Sequence, residues 1–281
     1  SQEYIKIYGV MNVAPTSYDY YGISNIYDTG SHRTANLRLD GNNGNTIEFW
    51  LKKGELSQGP PIPETEKEVI FDLWNGATVT HAAGSTYGRF LVYLDYSQID
   101  PDSCFVVTYV SGTVSACTNQ VLGVSDSTVD TGSVCNETWN HYAVTVHNSG
   151  TDLILKLFVN GTLNDTNTVA NGAINEVTGA LIANIGALRT QVDTIEAPPS
   201  EEGWGKLSGS IDEFRFWKTS RTDKDIYRNW FTQIGSIGAG GTNTDTSNTL
   251  LGVYYKFNEG ITTTASVDAR VLDYSGRVSN G

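Results

Sequence analysis

The chain has 281 residues, of which 39% are hydrophobic, so it is long enough to bury a full core as one domain. Its 18 Lys and Arg residues against 31 Asp and Glu residues give a net charge of -13, which would repel the phosphates of a nucleic acid. No run approaches the roughly 18 apolar residues of a membrane span, so we expect neither a nucleic-acid partner nor membrane insertion.

The composition favours β-strands, because Gly and Tyr number 29 and 15 while Met occurs once. In the stretch 46–52 the apolar residues Ile47, Phe49 and Leu51 alternate with polar ones or Trp50, which is the period of a strand. Turn signals rich in Gly, Pro and Asn separate this stretch from further predicted strands at 69–74, 89–96, 104–110, 138–147, 153–159, 181–186, 207–218 and 250–257. Many short strands of this kind indicate an all-β antiparallel sandwich or barrel.

One short helix is predicted after the strand that contains Gly-Ser-Ile-Asp-Glu. Thr222 is a suitable N-cap, with Asp225 three residues later in a variant of the capping box. Ile226 and Trp230 follow at the i, i+4 spacing of one helix face. We expect about two turns.

The strand 207–218 carries a carboxylate in an unusual place. With a period of two, Asp212 shares a face with Phe214 and Phe216, which predicts that this carboxylate points into the core. A buried Asp needs a cation, a paired base or backbone donors. Alternatively, the strand lies at an edge, or a bulge turns Asp212 towards solvent.

Three Trp residues are candidates for sugar binding, because sugar rings stack on the faces of aromatic rings. Trp50 and Trp217 lie opposite the presumed core residues of their strands, and Trp204 lies in a Gly-Trp-Gly loop. Ordinary packing between two sheets is the alternative for each ring. The sequence therefore predicts Trp204, Trp50 and Trp217 as ligand-binding residues.

Several motifs together resemble the laminin-G-like and pentraxin-like branch of the concanavalin A-like lectin/glucanase superfamily. They follow one another within residues 35–232, at 46–52 (Thr-Ile-Glu-Phe-Trp-Leu-Lys), 139–146 (Trp-Asn-His-Tyr-Ala-Val-Thr-Val), 157–161 (Leu-Phe-Val-Asn-Gly) and 209–217 (Gly-Ser-Ile-Asp-Glu-Phe-Arg-Phe-Trp). The resemblance implies a jelly roll of two stacked antiparallel sheets. It also implies recognition of carbohydrate, protein or cell surfaces, often with calcium.

The resemblance points to a calcium site and away from glycosidase chemistry. Calcium prefers carboxylate and carbonyl oxygens, and the matching positions are Asp212 and Asp273, with Asp40 as a third candidate, although Asp273 and Asp40 could instead serve turns. The glucanase branch uses a Glu-x-Asp-x-Glu strand, but here Ser210 and Phe214 replace both glutamates. We predict Ca2+ as the cofactor and no catalytic residues.

The motifs also suggest how the chain is divided. Residues 1–232 form the predicted jelly roll, and the Gly-, Ser- and Thr-rich residues 233–248 form a linker. Residues 249–281 contain motifs that resemble the stretch that normally opens such a module. This terminal segment either folds back onto the jelly roll or begins a second module.

The sequence thus predicts a non-enzymatic recognition or adhesion module of a larger extracellular or virion-surface protein. Its expected partner is a glycan or host-surface receptor, bound with the help of calcium. The alternative is an architectural component of a virion or appendage that contacts other subunits. A glycan-active enzyme is a third hypothesis, for which the sequence names no pair of carboxylates.

Overall fold

The computed structural model describes residues 4–8, 36–54, 67–76, 86–95, 104–123, 131–177, 181–189, 203–234, 250–258 and 271–275. These residues form two antiparallel sheets of six strands each, which confirms the predicted all-β jelly-roll sandwich. The elements are β1 (Ile5–Tyr8), β2 (Asn45–Lys52), β3 (Lys67–Trp74), β4 (Gly88–Asp95), β5 (Phe105–Ser111), β6 (Gln120–Leu122), α1 (Thr131–Val134), β7 (Trp139–Ser149), β8 (Asp152–Val159), β9 (Thr162–Val169), β10 (Ile182–Ile185), β11 (Ser210–Trp217), α2 (Asp223–Asn229) and β12 (Leu251–Tyr255).

The two sheets have different strand orders and share one core. The first sheet runs β1-β10-β3-β4-β5-β6, and the second runs β12-β11-β2-β7-β8-β9. Between them the ring of Phe71 on β3 lies 5.5 Å from that of Phe214 and 5.4 Å from that of Phe216, both on β11. Each such buried side chain contributes about 1.5 to 3 kcal/mol through removal from water, so the alternating apolar residues hold the sheets together.

The helix α2 confirms the predicted cap. The hydroxyl of Thr222 accepts a hydrogen bond from the backbone N–H of Asp225 and donates one to the Asp225 carboxylate. Ile226 is the buried residue of α2 and packs on Ala143 and Phe158 of the second sheet. The helix therefore lies on the outer face of that sheet. In the described part of the chain, no helix is long and apolar enough to cross a membrane.

A bulge in β11 makes the predicted orientation of Asp212 wrong. Asp212 pairs with Trp50 and Arg215 pairs with Glu48, so two β11 residues stand opposite the single β2 residue between these partners. Glu213 adopts a left-handed backbone conformation with φ of 50° at this point. Because the extra residue shifts the alternation, Asp212 lies on the outer face, partly buried beside Trp50, while Phe214 and Phe216 face the core.

The terminal segment supplies the edge strand of the second sheet. β12 pairs antiparallel with β11 over Tyr255 to Leu251. Gly252 lies directly against the backbone of Asn36, near the other end of the chain. This is the arrangement expected of a segment that folds back onto the jelly roll, whereas the boundaries 1–232, 233–248 and 249–281 stay predictions.

Replacing Gly252 by Ala tests the placement of β12. An added Cβ would overlap the backbone oxygen of Asn36 and lie 3.0 Å from the Phe216 ring, so we expect the free energy of unfolding to fall by about 1 to 3 kcal/mol. Urea denaturation measures this change. The control is Gly54→Ala, whose Cβ would meet nothing closer than Glu137 at 3.7 Å and should change stability by less than about 0.5 kcal/mol. Equal stability of the two variants would contradict the described contact.

Candidate functional site

The outer face of the second sheet carries rows of side chains that the strand register places side by side. One row contains Ser210, Lys52 and Trp139, and the next contains Asp212, Trp50 and His141. Directly paired residues on antiparallel strands face the same side. Since α2 covers the sheet further along, at Ala143 and Phe158, the row of Ser210, Lys52 and Trp139 forms an open area beside the C-terminal end of the helix, whereas His141 in the next row is buried.

Four aromatic side chains line this open area, and we call them the aromatic surface: Trp50, Trp139, Trp230 and Phe231. The ring of Trp230 lies 5.5 Å from the rings of both Trp50 and Phe231. Trp139 is a diagonal neighbour of Trp50 across β2 and β7, a relation that places side chains about 7 to 8 Å apart. Phe231 is 63% exposed and Trp139 is 43% exposed, so ring faces and edges are accessible to a ligand.

The turn between β8 and β9 fixes the position of Trp230. Asn160 and Gly161 form this turn with φ values of 48° and 79°, as an Asn-Gly pair does in a tight hairpin. A Cβ at residue 161 would overlap the indole of Trp230. Because glycine has no side chain, the indole can pack directly on the backbone of the turn.

A buried ion cluster lies beside this area on the same face of the sheet. The carboxylate of Glu48 is fully buried and accepts hydrogen bonds from Arg221 at 2.5 Å and from Arg215 at 3.4 Å. Burial alone would raise the pKa of Glu48, but the guanidinium groups of Arg221 and Arg215 outweigh it and hold that pKa well below its usual range. The cluster therefore contains a carboxylate that stays ionised at any ordinary pH.

The two arginines tie the sheet to α2 and to the turn that follows it. Arg215 donates to the backbone oxygen of Thr232 at 2.6 Å, directly after Trp230 and Phe231. The guanidinium of Arg221 lies 4.3 Å from the ring centre of Trp217. Since Thr232 follows the two aromatic residues in the chain, the ion cluster positions part of the aromatic surface.

His141 separates the ion cluster from the aromatic rings. Its Nε2 lies 3.6 Å from the Glu48 carboxylate, and its ring is 5.7 Å from that of Trp50. Burial lowers the pKa of His141, and this effect outweighs the attraction of Glu48. The imidazole is therefore neutral at pH 7 and acts here as a packing group.

The predicted ligand-binding residues lie in three different environments. Trp50 belongs to the aromatic surface. Trp217 is completely buried among Ile234, Leu251 and Tyr254, so the prediction that it offers a ring face to a sugar does not agree with the structure. Trp204 is 43% exposed, and its backbone oxygen accepts a hydrogen bond from the N–H of Leu188. Because Leu188 packs on the outer face of the first sheet, Trp204 lies away from the aromatic surface.

The three predicted calcium ligands do not form one site. Asp40 accepts hydrogen bonds from Arg38, Asn42 and Asn43 within its turn. Asp273 accepts from the backbone N–H groups of Tyr254 and Ser275 and from the Ser275 hydroxyl, so both carboxylates serve turns. Asp212 accepts from the N–H of Glu213 in the bulge.

Asp40 and Asp212 are also too far apart to bind the same ion. The backbone N–H of Asp40 bonds the side chain of Asn45, which in turn bonds the backbone oxygen of Trp217, so Asp40 lies at the Trp217 end of β11. Asp212 lies five residues before Trp217 on the same strand, roughly 15 Å from it. Within the ranges that the structure describes, no three His, Cys, Asp or Glu side chains come together as a metal site. A single ion shared by all three aspartates does not fit this arrangement, and calcium stays a prediction.

Three members of the aromatic surface were not predicted as ligand-binding residues. Trp230 was assigned to one helix face with Ile226, but in the structure it begins the irregular turn after α2, where Phe231 also lies. Trp139 was detectable, because Tyr142, Val144 and Val146 face the core and residues of opposite parity must face outward. The sequence does not reveal that the end of α2 packs on β2, which is the contact that brings Trp230 next to Trp50.

Replacing Glu48 by Gln should destabilise the fold by about 3 to 5 kcal/mol, because the buried guanidinium of Arg221 loses its counter-charge and that of Arg215 retains Glu213 but loses Glu48. Urea denaturation at pH 7 measures the loss. The control is Asp223→Asn, whose salt bridge with Lys156 is exposed and should contribute less than about 1 kcal/mol.

The same variant should also change the pH dependence of stability. The pKa of Glu48 is lower in the folded state than its ordinary value of 4.5. Its contribution is therefore complete above about pH 5 and is lost as the pH falls below 4.5 towards the folded pKa. The Gln variant should lack this acid-side loss. A variant as stable as the wild type, with the same acid dependence, would contradict the described ion cluster.

Comparisons with known proteins agree with this architecture. The laminin G family model, described as concanavalin A-like lectin/glucanases superfamily, matches residues 26–227. The search of curated proteins found no match. A native heptameric SAP-like pentraxin from Limulus polyphemus has a TM-score of 0.40 and 13% identity, covering 79% of this chain and 80% of its own.

Two further solved structures are similar at comparable levels. The CBM40 module of the Ruminococcus gnavus IT-sialidase, bound to α2,3-sialyllactose, has a TM-score of 0.38 and 11% identity over 67% of this chain and 83% of its own. The receptor-binding domain of botulinum neurotoxin type G has a TM-score of 0.37 and 10% identity over 68% of this chain and 38% of its own. The family match covers more than half of the residues and confirms the resemblance seen in the motifs. The chain belongs to the concanavalin A-like lectin/glucanases superfamily.

Proposed function

We propose that this protein is a carbohydrate-recognition module and that a glycan binds across the aromatic surface. The observation that carries the proposal is the group of neighbouring, partly exposed rings of Trp50, Trp139, Trp230 and Phe231 on the outer face of a sheet. Sugar rings present apolar C–H faces that stack on such rings. Membership of a superfamily that includes lectins supports the same class of ligand.

Polar groups at the border of the surface could bind the hydroxyl groups of the sugar. Lys52 and Ser210 are exposed in the row that contains Trp139. On the other side, the side chain of Asn160 donates to that of Asn140 at 3.0 Å, which fixes an amide pair at the turn on which Trp230 packs. A few fixed polar groups around apolar rings are what gives a sugar site its orientation.

The charges near the surface favour a neutral glycan. Lys52 and Asp212 lie in adjacent rows and have opposite signs, so they leave little net charge at the rings. The whole chain carries a net charge of -13, which would disfavour a polyanion approaching from a distance. An uncharged oligosaccharide needs no charged partner at the rings and is not repelled by the net charge of the chain.

The proposal describes binding without catalysis at this surface. A glycosidase needs two carboxyl groups within about 10 Å of each other across the scissile bond. In the Glu-x-Asp-x-Glu motif the glutamates stand two residues before and two residues after the Asp. On β11 these positions are Ser210 and Phe214, which supply no carboxyl group. Asp212 can bind a hydroxyl, and the carboxylate of the adjacent Glu213 is already held by Arg215, Gln233 and Tyr254.

We further propose that the module belongs to a protein that attaches to surfaces. A neutral-glycan site of this kind suits a module that attaches a larger extracellular or virion-surface protein to a host glycan or receptor. Calcium assistance is retained only as a prediction, because the described carboxylates offer no shared site. Adding EGTA to the binding experiment below tests it directly.

Removal of single rings tests the proposed site. After a glycan array identifies a neutral ligand, calorimetry should show that Trp50→Ala and Trp139→Ala bind it about tenfold more weakly, since one stacked ring contributes roughly 1.4 kcal/mol. The matched control is Trp204→Ala, because Trp204 and Trp139 are both 43% exposed and only Trp139 lies on the aromatic surface. Loss of binding in the Trp204 variant alone would move the site to the first sheet, and no binding to any glycan class would reject the proposal.

A protein contact is the second candidate function for the same region. Tyr227 and Phe231 are 66% and 63% exposed at the C-terminal half of α2 and just beyond it, and large exposed aromatic side chains are frequent at protein interfaces. This would suit an architectural component of a virion or appendage. In that case light scattering should show oligomers that Phe231→Ser dissociates, and a monomer at all concentrations would reject an interface between copies.

A further inference from the structure

A second concave region lies on the same outer face, at the other end of α2 from the aromatic surface. It is a cavity of about 560 Å³ between the turn at the start of β2, the outer residues of β7 and β8, and the segment 220–224. Side chains that line it include Asn42, Thr145, His147, Lys156, Ser220 and Lys224. We call this region the polar pocket. Its volume lies within the range of about 300 to 1,000 Å³ that is usual for small-molecule sites.

Close backbone contacts give the polar pocket fixed walls. Gly44 has a φ of 72°, and a Cβ there would lie only 2.6 Å from the Cβ of Ser220 and 3.0 Å from that of His147. Ser220 donates its backbone N–H to the oxygen of Asn43 at 2.8 Å. The absence of a side chain at residue 44 thus allows the turn, β7 and the segment 220–224 to meet.

The charges of the polar pocket favour an anionic ligand. Lys156 is 2.7 and 2.9 Å from the two carboxylate oxygens of Asp223, so this acidic group is already neutralised. Arg221 is paired with Glu48 in the buried ion cluster. Lys224 makes no hydrogen bond or ion pair with any part of the chain that the structure describes, and it leaves an uncompensated positive charge at the pocket.

A buried hydroxyl without a partner points to a ligand with hydrogen-bonding groups. Thr145 is 1% exposed and lines the polar pocket, and its Oγ1 has no hydrogen-bond partner. A buried polar group normally has a partner, so an orphaned one needs an explanation. A ligand in the pocket can supply the missing hydrogen bond.

His147 adds a donor and an acceptor to the same wall. The Ser220 hydroxyl lies 3.5 Å from Nδ1 of His147. Burial and the neighbouring charge of Lys156 lower the pKa of His147, so that its ring is neutral at pH 7. A neutral imidazole and two hydroxyls are complementary to the hydroxyl groups of a sugar.

We propose that the polar pocket binds a monosaccharide that carries a carboxylate, such as a uronic acid. The carboxylate of the sugar binds at Lys224, and its hydroxyl groups bind Thr145, Ser220 and His147. A simple inorganic anion would use Lys224 but would leave most of the uncharged groups unused. The site is separate from the aromatic surface, so it does not depend on the function proposed there.

Calorimetry with D-glucuronic acid and D-glucose tests the pocket in the 281-residue protein. Glucuronic acid should bind at least about tenfold more tightly than glucose. Thr145→Val should weaken binding about tenfold without lowering the melting temperature, because the hydroxyl makes no hydrogen bond in the folded protein. A purely structural role for Thr145 would instead lower the melting temperature and leave affinity unchanged, which would overturn the proposal.

Charge variants separate the pocket from general attraction. Lys224→Gln should weaken glucuronic acid binding about fivefold to tenfold, whereas the matched control Arg228→Gln, an exposed position on the same helix that does not line the pocket, should bind normally. Equal affinity for glucose and glucuronic acid, or for inorganic phosphate and glucuronic acid, would overturn the proposal.

One more variant distinguishes this site from the aromatic surface. Trp50→Ala should bind glucuronic acid with unchanged affinity, because Trp50 lies beyond the other end of α2. If that variant loses glucuronic acid binding while Thr145→Val retains it, the acid binds at the aromatic surface and the polar pocket is rejected. Failure of neutral glycans to bind at the aromatic surface would leave these results unaffected.

Discussion

The carboxylate of Glu48 is the point on which the outer face of the second sheet depends. It stands completely buried between Arg215 and Arg221, where it is the counter-charge of Arg221 and shares Arg215 with Glu213. Through Arg215 the charge is connected to the turn after α2, and through Arg221 to the segment before α2. The helix is short and buries one apolar residue, so these ionic contacts supply the attachment that an amphipathic face would supply in a longer helix.

This attachment creates two separate surfaces on one sheet. Beyond the C-terminal end of α2 the exposed groups are aromatic, and beyond its other end they are hydroxyls, amides and cations. A ligand for the first surface must be largely apolar on one face, whereas a ligand for the second must bring acceptors and negative charge. The two proposed sites thus lie on a single face of the sheet, with the helix between them.

The sequence predicted the fold more completely than the site, and particular residues show why. Alternation in β2 and β7 identified the core face, and Thr222 identified the start of α2, because both signals are local. The orientation of Asp212 was predicted wrongly, since one residue in a left-handed conformation reverses the faces and no local pattern marks Glu213 for that role. Trp230 meets Trp50 only through long-range packing. Such contacts depend on where α2 docks, which the pairing of Glu48 with distant arginines decides.

The position of β12 also determines when the second sheet can be completed. Its strand is formed by residues 251–255 and touches Asn36 through Gly252, so the contact joins two segments that are far apart in sequence. β12 pairs with β11, which precedes it closely in the chain, but the contact of Gly252 with Asn36 closes a long loop and therefore forms slowly. Until the ribosome has released this stretch, β11 has an open edge whose backbone groups can pair with a strand of another molecule. Newly made chains are therefore most exposed to strand exchange with one another in the interval after β11 has been made and before β12 has paired with it.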